Sequence, residues 1–203
     1  QNSRGIYQIT MDMGYAPETP LKLVAEMISP TYLIVSGNGK ILYAASEAQP
    51  GIRGEIAAFH CTEKGLTLIN KVLAPGAGLV HVVLDPEEKF LFAVSYRDAS
   101  VLMYEIREDG GIGSLLDEKE HIGQGRDPVR QEKAHAHSVW ITPDGMKICV
   151  CDLGIDRLIV YEVDRCQGKL VEKKDLCVTF PQGSGPRHLV FHPNGRFAYV
   201  LAE

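Results

Sequence analysis

The chain has 203 residues, of which 45% are hydrophobic and 23% charged, with a formal net charge of -5 at pH 7. This excludes fibrous and disordered classes, is long enough to bury a substantial core, and gives no basic excess for a nucleic acid or an anionic membrane surface. No apolar run approaches the ~20 residues of a membrane span, and Gln1 to Thr10 carries no secretory pattern. The expectation is a cytoplasmic protein with neither a nucleic-acid nor a membrane partner, whose start at Gln1 suggests that the natural N-terminus lies upstream.

Five cysteines, none in a C-x-x-C pair, form neither a disulfide framework nor a zinc site. Cys149 and Cys151 stand two apart on a predicted strand, which makes them small core residues of one face.

Gly5 to Asp12 and Leu21 to Met27 read as strands joined by a loop containing proline and glycine. From Thr31 a four-strand unit follows: Tyr32 to Val35, Ile41 to Ser46, Glu55 to Cys61 and Leu66 to Leu73. A second unit takes Val80 to Leu84, Phe90 to Ser95, Ser100 to Ile106 and a weaker Leu115 to His121. The polar loop Gly123 to Lys133 leads into a third, with His137 to Ile141, Lys147 to Cys151, Arg157 to Val163 and Leu170 to Leu176. Two strands of a fourth, around Leu189 and Tyr199, reach Glu203.

The first hairpin of each unit turns at residue 39, 88, 145 or 195, at intervals of 49, 57 and 50. Four short strands at a period of roughly 40 to 50 residues predict an all-β propeller with one antiparallel blade per repeat. The expected division is a single propeller domain: residues 1–29 as outer strands of a closing blade, 30–74, 75–122 and 123–177 as blades, and 178–203 as half of the next. If the two half-blades join, a ring of four closes. A larger ring leaves strand edges that need partners, and edge-to-edge pairing into a homo-oligomer is one way to cover them.

The repeat phase also locates a mouth. The start of an inner strand and the end of its hairpin partner lie at one end of the blade. Thr31, Val80, His137 and Arg187, with Glu47, Tyr96, Leu153 and Glu203, therefore ring one end of the channel. Loops on that side hold Arg53, Arg97, Arg126, Arg130, Arg157 and Arg187, six of ten arginines, against Lys133 alone of eleven lysines. Arginine grips carboxylate or phosphate bidentately, so the bias points to a small anionic ligand. The competing reading is that Asp98, Asp127, Glu132, Asp152 and Asp156 neutralise these arginines in surface networks.

Histidines His135 and His137, i and i+2, lack a third ligand nearby, so no metal or other cofactor is expected. Near neutrality, a histidine serves as a general base while a neighbouring arginine stabilises an oxyanion. His188 beside Arg187 is a further candidate, whereas His81 and His192 read as structural. Ser184 lacks the nucleophile-elbow context, although the amides of Gly183, Ser184 and Gly185 could cradle an anion. A one-residue bulge would decide which of His135 and His137 faces the channel.

His135-Ala136-His137-Ser138-Val139, Asp152-Leu153-Gly154-Ile155-Asp156-Arg157, Gly183 to His188 with Phe191-His192-Pro193-Asn194-Gly195, and Glu203 together resemble the lactonase family of seven-bladed β-propellers. That family includes propeller-type 6-phosphogluconolactonases and the fungal carboxy-cis,cis-muconate cyclase. The resemblance spans essentially the whole chain and implies seven blades, of which about three lie beyond this sequence. It implies a site built from His137 or His135, Arg187 and Glu203, completed by a basic residue from the remaining blades, and hydrolysis of a sugar lactone such as 6-phosphogluconolactone in the pentose phosphate route. Arg157, Arg130, Asp156 and His188 are the expected substrate contacts. The alternatives are a cyclase or isomerase, or a non-catalytic propeller that binds an anion or a protein. One departure stands beside the mouth: Tyr96-Arg97-Asp98-Ala99-Ser100 replaces a glycine-rich turn.

Overall fold

A computed structural model describes residues 4–47 and 53–203, and these form an all-β structure with one short 3-10 turn. Two strands, β1 (Gly5–Gln8) and β2 (Lys22–Glu26), make a small antiparallel sheet. Four strands follow in the first full blade: β3 (Pro30–Val35), β4 (Ile41–Ser46), β5 (Glu55–Thr62) and β6 (Gly65–Leu73). The second blade has β7 (Leu79–Leu84), β8 (Phe90–Ser95), β9 (Ser100–Ile106) and β10 (Ile112–Glu120). The third has β11 (Ala136–Ile141), β12 (Lys147–Asp152), β13 (Arg157–Asp164) and β14 (Lys169–Glu172). The expected strand to Leu176 is broken, because a 3-10 turn at Lys174–Leu176 lets β15 (Val178–Thr179) return to β13. A last pair, β16 (Pro186–Phe191) and β17 (Ala198–Ala202), completes the described structure.

Within each full blade neighbours in sequence are neighbours in the sheet. The N-terminal expectation is corrected in length, since residues beyond Gln8 leave the ladder well before Asp12. The four-bladed ring is also corrected. β1–β2 and β16–β17 are separate two-stranded sheets, and they pack at opposite ends of the series: Ile6 and Met27 against Ala44, Ala57 and Phe59 of the first full blade, Leu189 and Val200 against Cys149, Leu158 and Val160 of the third.

The strand alternation explains the stacking. On β8, Leu91 and Ala93 point into the core shared with the first blade, while Phe92 and Val94 point into the core shared with the third. A strand covered on both faces is apolar at every position, hence the run Phe90 to Val94. Cys149 and Cys151 are buried, as expected, in the core facing β16, and burial pushes their thiols up to about 12 and about 11. They are packing residues, not thiolates.

The four inner hairpins have one hydrogen-bond pattern, in which the turn-closing amides of Gly39, Glu88, Gly145 and Gly195 reach Ser36, Asp85, Thr142 and His192 carbonyls. Their φ values of 72°, 55°, 70° and 69° are left-handed, which is why glycine recurs there. At the same end Arg165 ties two blades, donating to the buried carboxylate of Asp85 at 2.6 Å and to the Gly145 carbonyl at 3.0 Å.

At the opposite end every inner strand carries the same irregularity. The ladder slips between Pro30 and Tyr32, Leu79 and His81, Ala136 and Ser138, and Pro186 and His188. The residue left over is Thr31, Val80, His137 or Arg187. A bulge adds one unpaired residue and re-aims its side chain, so the fold presents one residue per blade at the mouth.

Candidate functional site

Bulges deliver His137 and Arg187 from adjacent blades, and Glu203, just past β17, pairs across to the second of these. Arg187 Nε lies 2.8 Å from Glu203 Oε2, an ion pair whose angle is not that of a hydrogen bond, and the other carboxylate oxygen meets Arg130 Nη2. Arg187 Nη1 stands 3.1 Å from His188 Nε2. A guanidinium only donates, so that imidazole nitrogen accepts and His188 is neutral with its proton on Nδ1. Burial and the Arg187 charge both lower the His188 pKa, against Glu203, which raises it.

His137 is half-buried, its ring 5.0 Å from that of His188 and 5.9 Å from that of Tyr96. Its Nδ1 is buried without a hydrogen-bond partner. Burial first, then Arg187 and His188, bring its pKa down to about 4. At neutral pH this is an uncharged imidazole beside a fixed positive charge.

The third member of the expected site, Glu203, does not orient His137. Glu203 bridges two arginines and has no hydrogen bond to the imidazole. It holds Arg187 and Arg130 as one charged group instead.

His135 is separated from His137 by its bonding. Its Nδ1 is 2.9 Å from the Tyr96 carbonyl and its Nε2 3.1 Å from Glu132, and the ring stacks on Tyr96 at 4.3 Å. Both nitrogens are occupied, and the ring is 4% exposed. Asp152 fixes this segment from beneath, its Oδ1 accepting the His135 amide and its Oδ2 meeting His121 Nδ1 at 2.7 Å, with Tyr161 on the far ring nitrogen. His121 is a structural histidine whose partners come from the strands of another blade, which no local sequence pattern signals.

Asp156 is also committed. It sits at φ 54°, buried, and accepts the amides of Gly183 and Gly185 at 2.8 Å each, together with Gln131 Nε2. The glycine loop therefore binds an anion, but that anion is the protein's own carboxylate. Asp156 is a positioning residue: it sets the loop that launches Arg187.

Arg157 starts the third strand of its blade opposite Asp152 and Thr179, and among the described residues it has no hydrogen bond or ion pair to the His137 group. Arg97 pairs with Glu47 at 3.0 Å. Asp98 accepts the Ala77 amide, Asp127 caps the amides of Val129 and Arg130, and Glu132 serves His135. None of the five carboxylates expected to neutralise the arginines is ion-paired to one. The departure Tyr96 to Ser100 is also accounted for: Ala99 takes φ 51° and is buried, and neither Arg97 nor Asp98 bonds to His137, Arg187 or Glu203. His192 accepts a turn amide from Asn194, in keeping with a structural role. Among the described residues no group of side chains is arranged to hold a metal ion.

Comparison with known proteins decides the family. The sequence pattern described as "Lactonase, 7-bladed beta-propeller" matches residues 1–203. The chain belongs to that family. The 6-phosphogluconolactonase of Bacillus subtilis is 34% identical over 203 residues, covering 99% of this chain and 56% of that protein. The solved periplasmic gluconolactonase of Pseudomonas aeruginosa superposes with a TM-score of 0.89 at 28% identity, over 100% of this chain and 59% of that one. A structure from Lactobacillus plantarum gives 0.86 at 32% identity, over 98% and 56%. The chain thus spans a little over half the length of these relatives. Seven blades is the architecture of this family, and the series described here is an arc of such a ring.

Proposed function

We propose that this mouth opens the ring of a sugar lactone, with 6-phospho-D-glucono-1,5-lactone as the substrate. The observation that carries the reading is the juxtaposition at the mouth of His137, a neutral, half-buried imidazole on its bulge, and Arg187, a guanidinium paired with Glu203 and His188. Relatives named 6-phosphogluconolactonase and gluconolactonase support it.

In this reading water attacks the lactone carbonyl carbon and gives a proton to His137. The carbonyl oxygen gains the negative charge, which Arg187 stabilises by donated hydrogen bonds. Collapse breaks the bond from that carbon to the ring oxygen, and the leaving oxygen takes the proton back from His137, giving a hydroxyl and a carboxylic acid that ionises. A free-state pKa of about 4 makes the imidazole a weak base, and the negative charge of the bound transition state raises its proton affinity as the reaction proceeds. Arg130, tied to the same carboxylate, is placed for a phosphate or for the product carboxylate.

A phosphorylated substrate fits a cytoplasmic setting, whereas one relative is named a periplasmic gluconolactonase; among the described residues no helix is long and apolar enough to cross a membrane. The test is hydrolysis of 6-phosphogluconolactone and of glucono-1,5-lactone by the full-length protein, corrected for spontaneous opening, beside Arg187→Ala. Turnover abolished in a folded variant supports the reading, and preference between the two lactones assigns the phosphate. A full-length, folded protein with no rate above background would overturn it.

A further inference from the structure

Tyr96 follows β8 at the mouth end of the second full blade, and every part of it but one is committed. Its amide donates to the Gly78 carbonyl at 2.8 Å, and its carbonyl accepts from His135 Nδ1 at 2.9 Å. Its ring lies on that of His135, 4.3 Å between centroids and 13° from parallel, and stands nearly perpendicular to that of His137 at 5.9 Å. His135 is held in turn by Glu132 at its other nitrogen and by Asp152 at its amide. A phenol oxygen lies on the axis of its ring, so fixing the ring fixes the hydroxyl.

That hydroxyl is the part left over. Among the described residues it makes no hydrogen bond, and it is open to solvent on a partly exposed side chain. Tyr43 and Tyr161 show the ordinary alternative, their hydroxyls meeting the Gly110 carbonyl at 2.9 Å and His121 Nε2 at 3.0 Å. The opening at Tyr96 is not an end of the arc, because the second blade has a full blade packed on each face. It belongs to the mouth. His137 has Tyr96 on the side of the second blade, and His188 with Arg187 on the side of β16–β17. Burial raises the pKa of the phenol, with smaller effects from the charges of Arg130, Glu132, Glu203 and Asp152, so at neutral pH it keeps its proton and is a donor. A carbon attacked by water that His137 deprotonates lies over His137, between a donor from one neighbouring blade and a donor from the other.

We propose that Tyr96 is a further catalytic residue of this same site, whose hydroxyl donates a hydrogen bond to an oxygen of the ligand's acyl group: the lactone carbonyl during attack and the carboxylate after it. The oxygen that turns negative then has a neutral donor on the Tyr96 side and a charged one, Arg187, on the other. Donors fixed in advance around a developing oxyanion are what stabilises it. No bond to Tyr96 forms or breaks, and its proton stays on the phenol throughout. His135, with both nitrogens spent, becomes the platform that holds the ring in place, a positioning residue and not a base. The assignment rests on the lactonase reading for its substrate, while the placement of the hydroxyl beside His137 stands without it.

The experiment uses full-length protein and Tyr96→Phe, which keeps the stacked ring and removes only the hydroxyl, with thermal unfolding to verify the fold. Turnover is measured on glucono-1,5-lactone, 6-phosphogluconolactone and the unsubstituted six-membered lactone. Binding is measured by titrating gluconate and 6-phosphogluconate, in wild type also through the resonance of the Tyr96 ring carbon that bears the hydroxyl. The expected result is an unchanged Tm and a loss of about tenfold in kcat/KM that is equal on all three lactones, since the acyl group is what they share. Both acids should bind the variant more weakly by a similar factor, and both should shift the Tyr96 carbon of wild type. If wild type lacks turnover while gluconate shifts that carbon and binds the variant about tenfold more weakly, the lactonase reading falls and this one stands. A folded variant that matches wild type on every lactone would show the ring to be packing only. A loss confined to 6-phosphogluconolactone would assign the hydroxyl to the phosphate, and a Tyr96 carbon that neither acid moves would remove it from the site; each of these overturns the proposal.

Discussion

The two halves of the mouth have the same backbone and different chemistry. In the first two full blades the bulge presents Thr31, which is spent on the Leu79 carbonyl at 2.7 Å, and Val80, which has nothing to donate. In the third blade and in the β16–β17 pair it presents His137 and Arg187. The same holds just before the third strand: Ala99 and Asp156 have φ values of 51° and 54°, but only the second carries a carboxylate, and it organises the neighbouring glycine loop. Repetition supplies a scaffold in which one position per blade is aimed at the channel, and function is a matter of which blades have reactive groups there.

The comparison can be broken most forcefully at the half that holds His137 and Arg187. Replacing His137 or Arg187 by alanine is expected to lower kcat/KM on the preferred lactone by about 10²–10³-fold with a nearly unchanged Tm, whereas Val80→Ala changes it less than about twofold; equal losses at Val80 and Arg187 would show that the mouth acts as a uniform rim. Asp156→Ala strands two loop amides that Ala99 never has to satisfy. It should cost about 2–3 kcal/mol of stability and lower kcat through displacement of Arg187, and Asp156→Asn, which keeps an acceptor, should recover part of both. Denaturant unfolding and steady-state kinetics together separate the two effects.

Acid titration sharpens the same contrast. Folding depresses the pKa of His81 to about 3 and of His137 to about 4, so the unfolded chain takes up protons from near pH 6.5 while the native protein does not. Stability should therefore fall as pH drops below about 6.5 and keep falling to those folded values, and His81→Phe should flatten the slope. Activity limited by His137 should persist below the usual histidine range, with its acid limb near 4 rather than 6.5. The smallest effect is expected in the other half, where Glu47→Gln removes the partly exposed pair with Arg97. That should cost less than about 1 kcal/mol and leave turnover intact.

Much of the fold was legible because each hairpin announces its own register. Pro-Asn-Gly and its variants fix the turn, and counting eight residues either way reaches the mouth without coordinates. What counting could not supply was partners. His135 and His137 differ by a bulge and by a glutamate three residues upstream, so the sequence leaves them equivalent. Asp156 reads as a surface acid until the amides of Gly183 and Gly185 are seen in front of it. His81 looks like any channel-facing core residue until both of its nitrogens prove to be unpaired. Leu170 to Leu176 has the composition of one strand, and only the short return of β15 to β13 divides it.

The order of the cores has a consequence in time. Each apolar layer joins blades adjacent in the chain, with Ile6 and Met27 packing on the first full blade, the first on the second, the second on the third, and the third on β16–β17. Structure of this kind can grow from one end, each blade templating the next, as in other stacked architectures. During synthesis His137 would then be in place while its mouth still lacked Arg187 and Glu203, and the charged cluster would close only after some sixty further residues had been made. A charged cluster shared by two blades is one that a chain holding only the first of them cannot present.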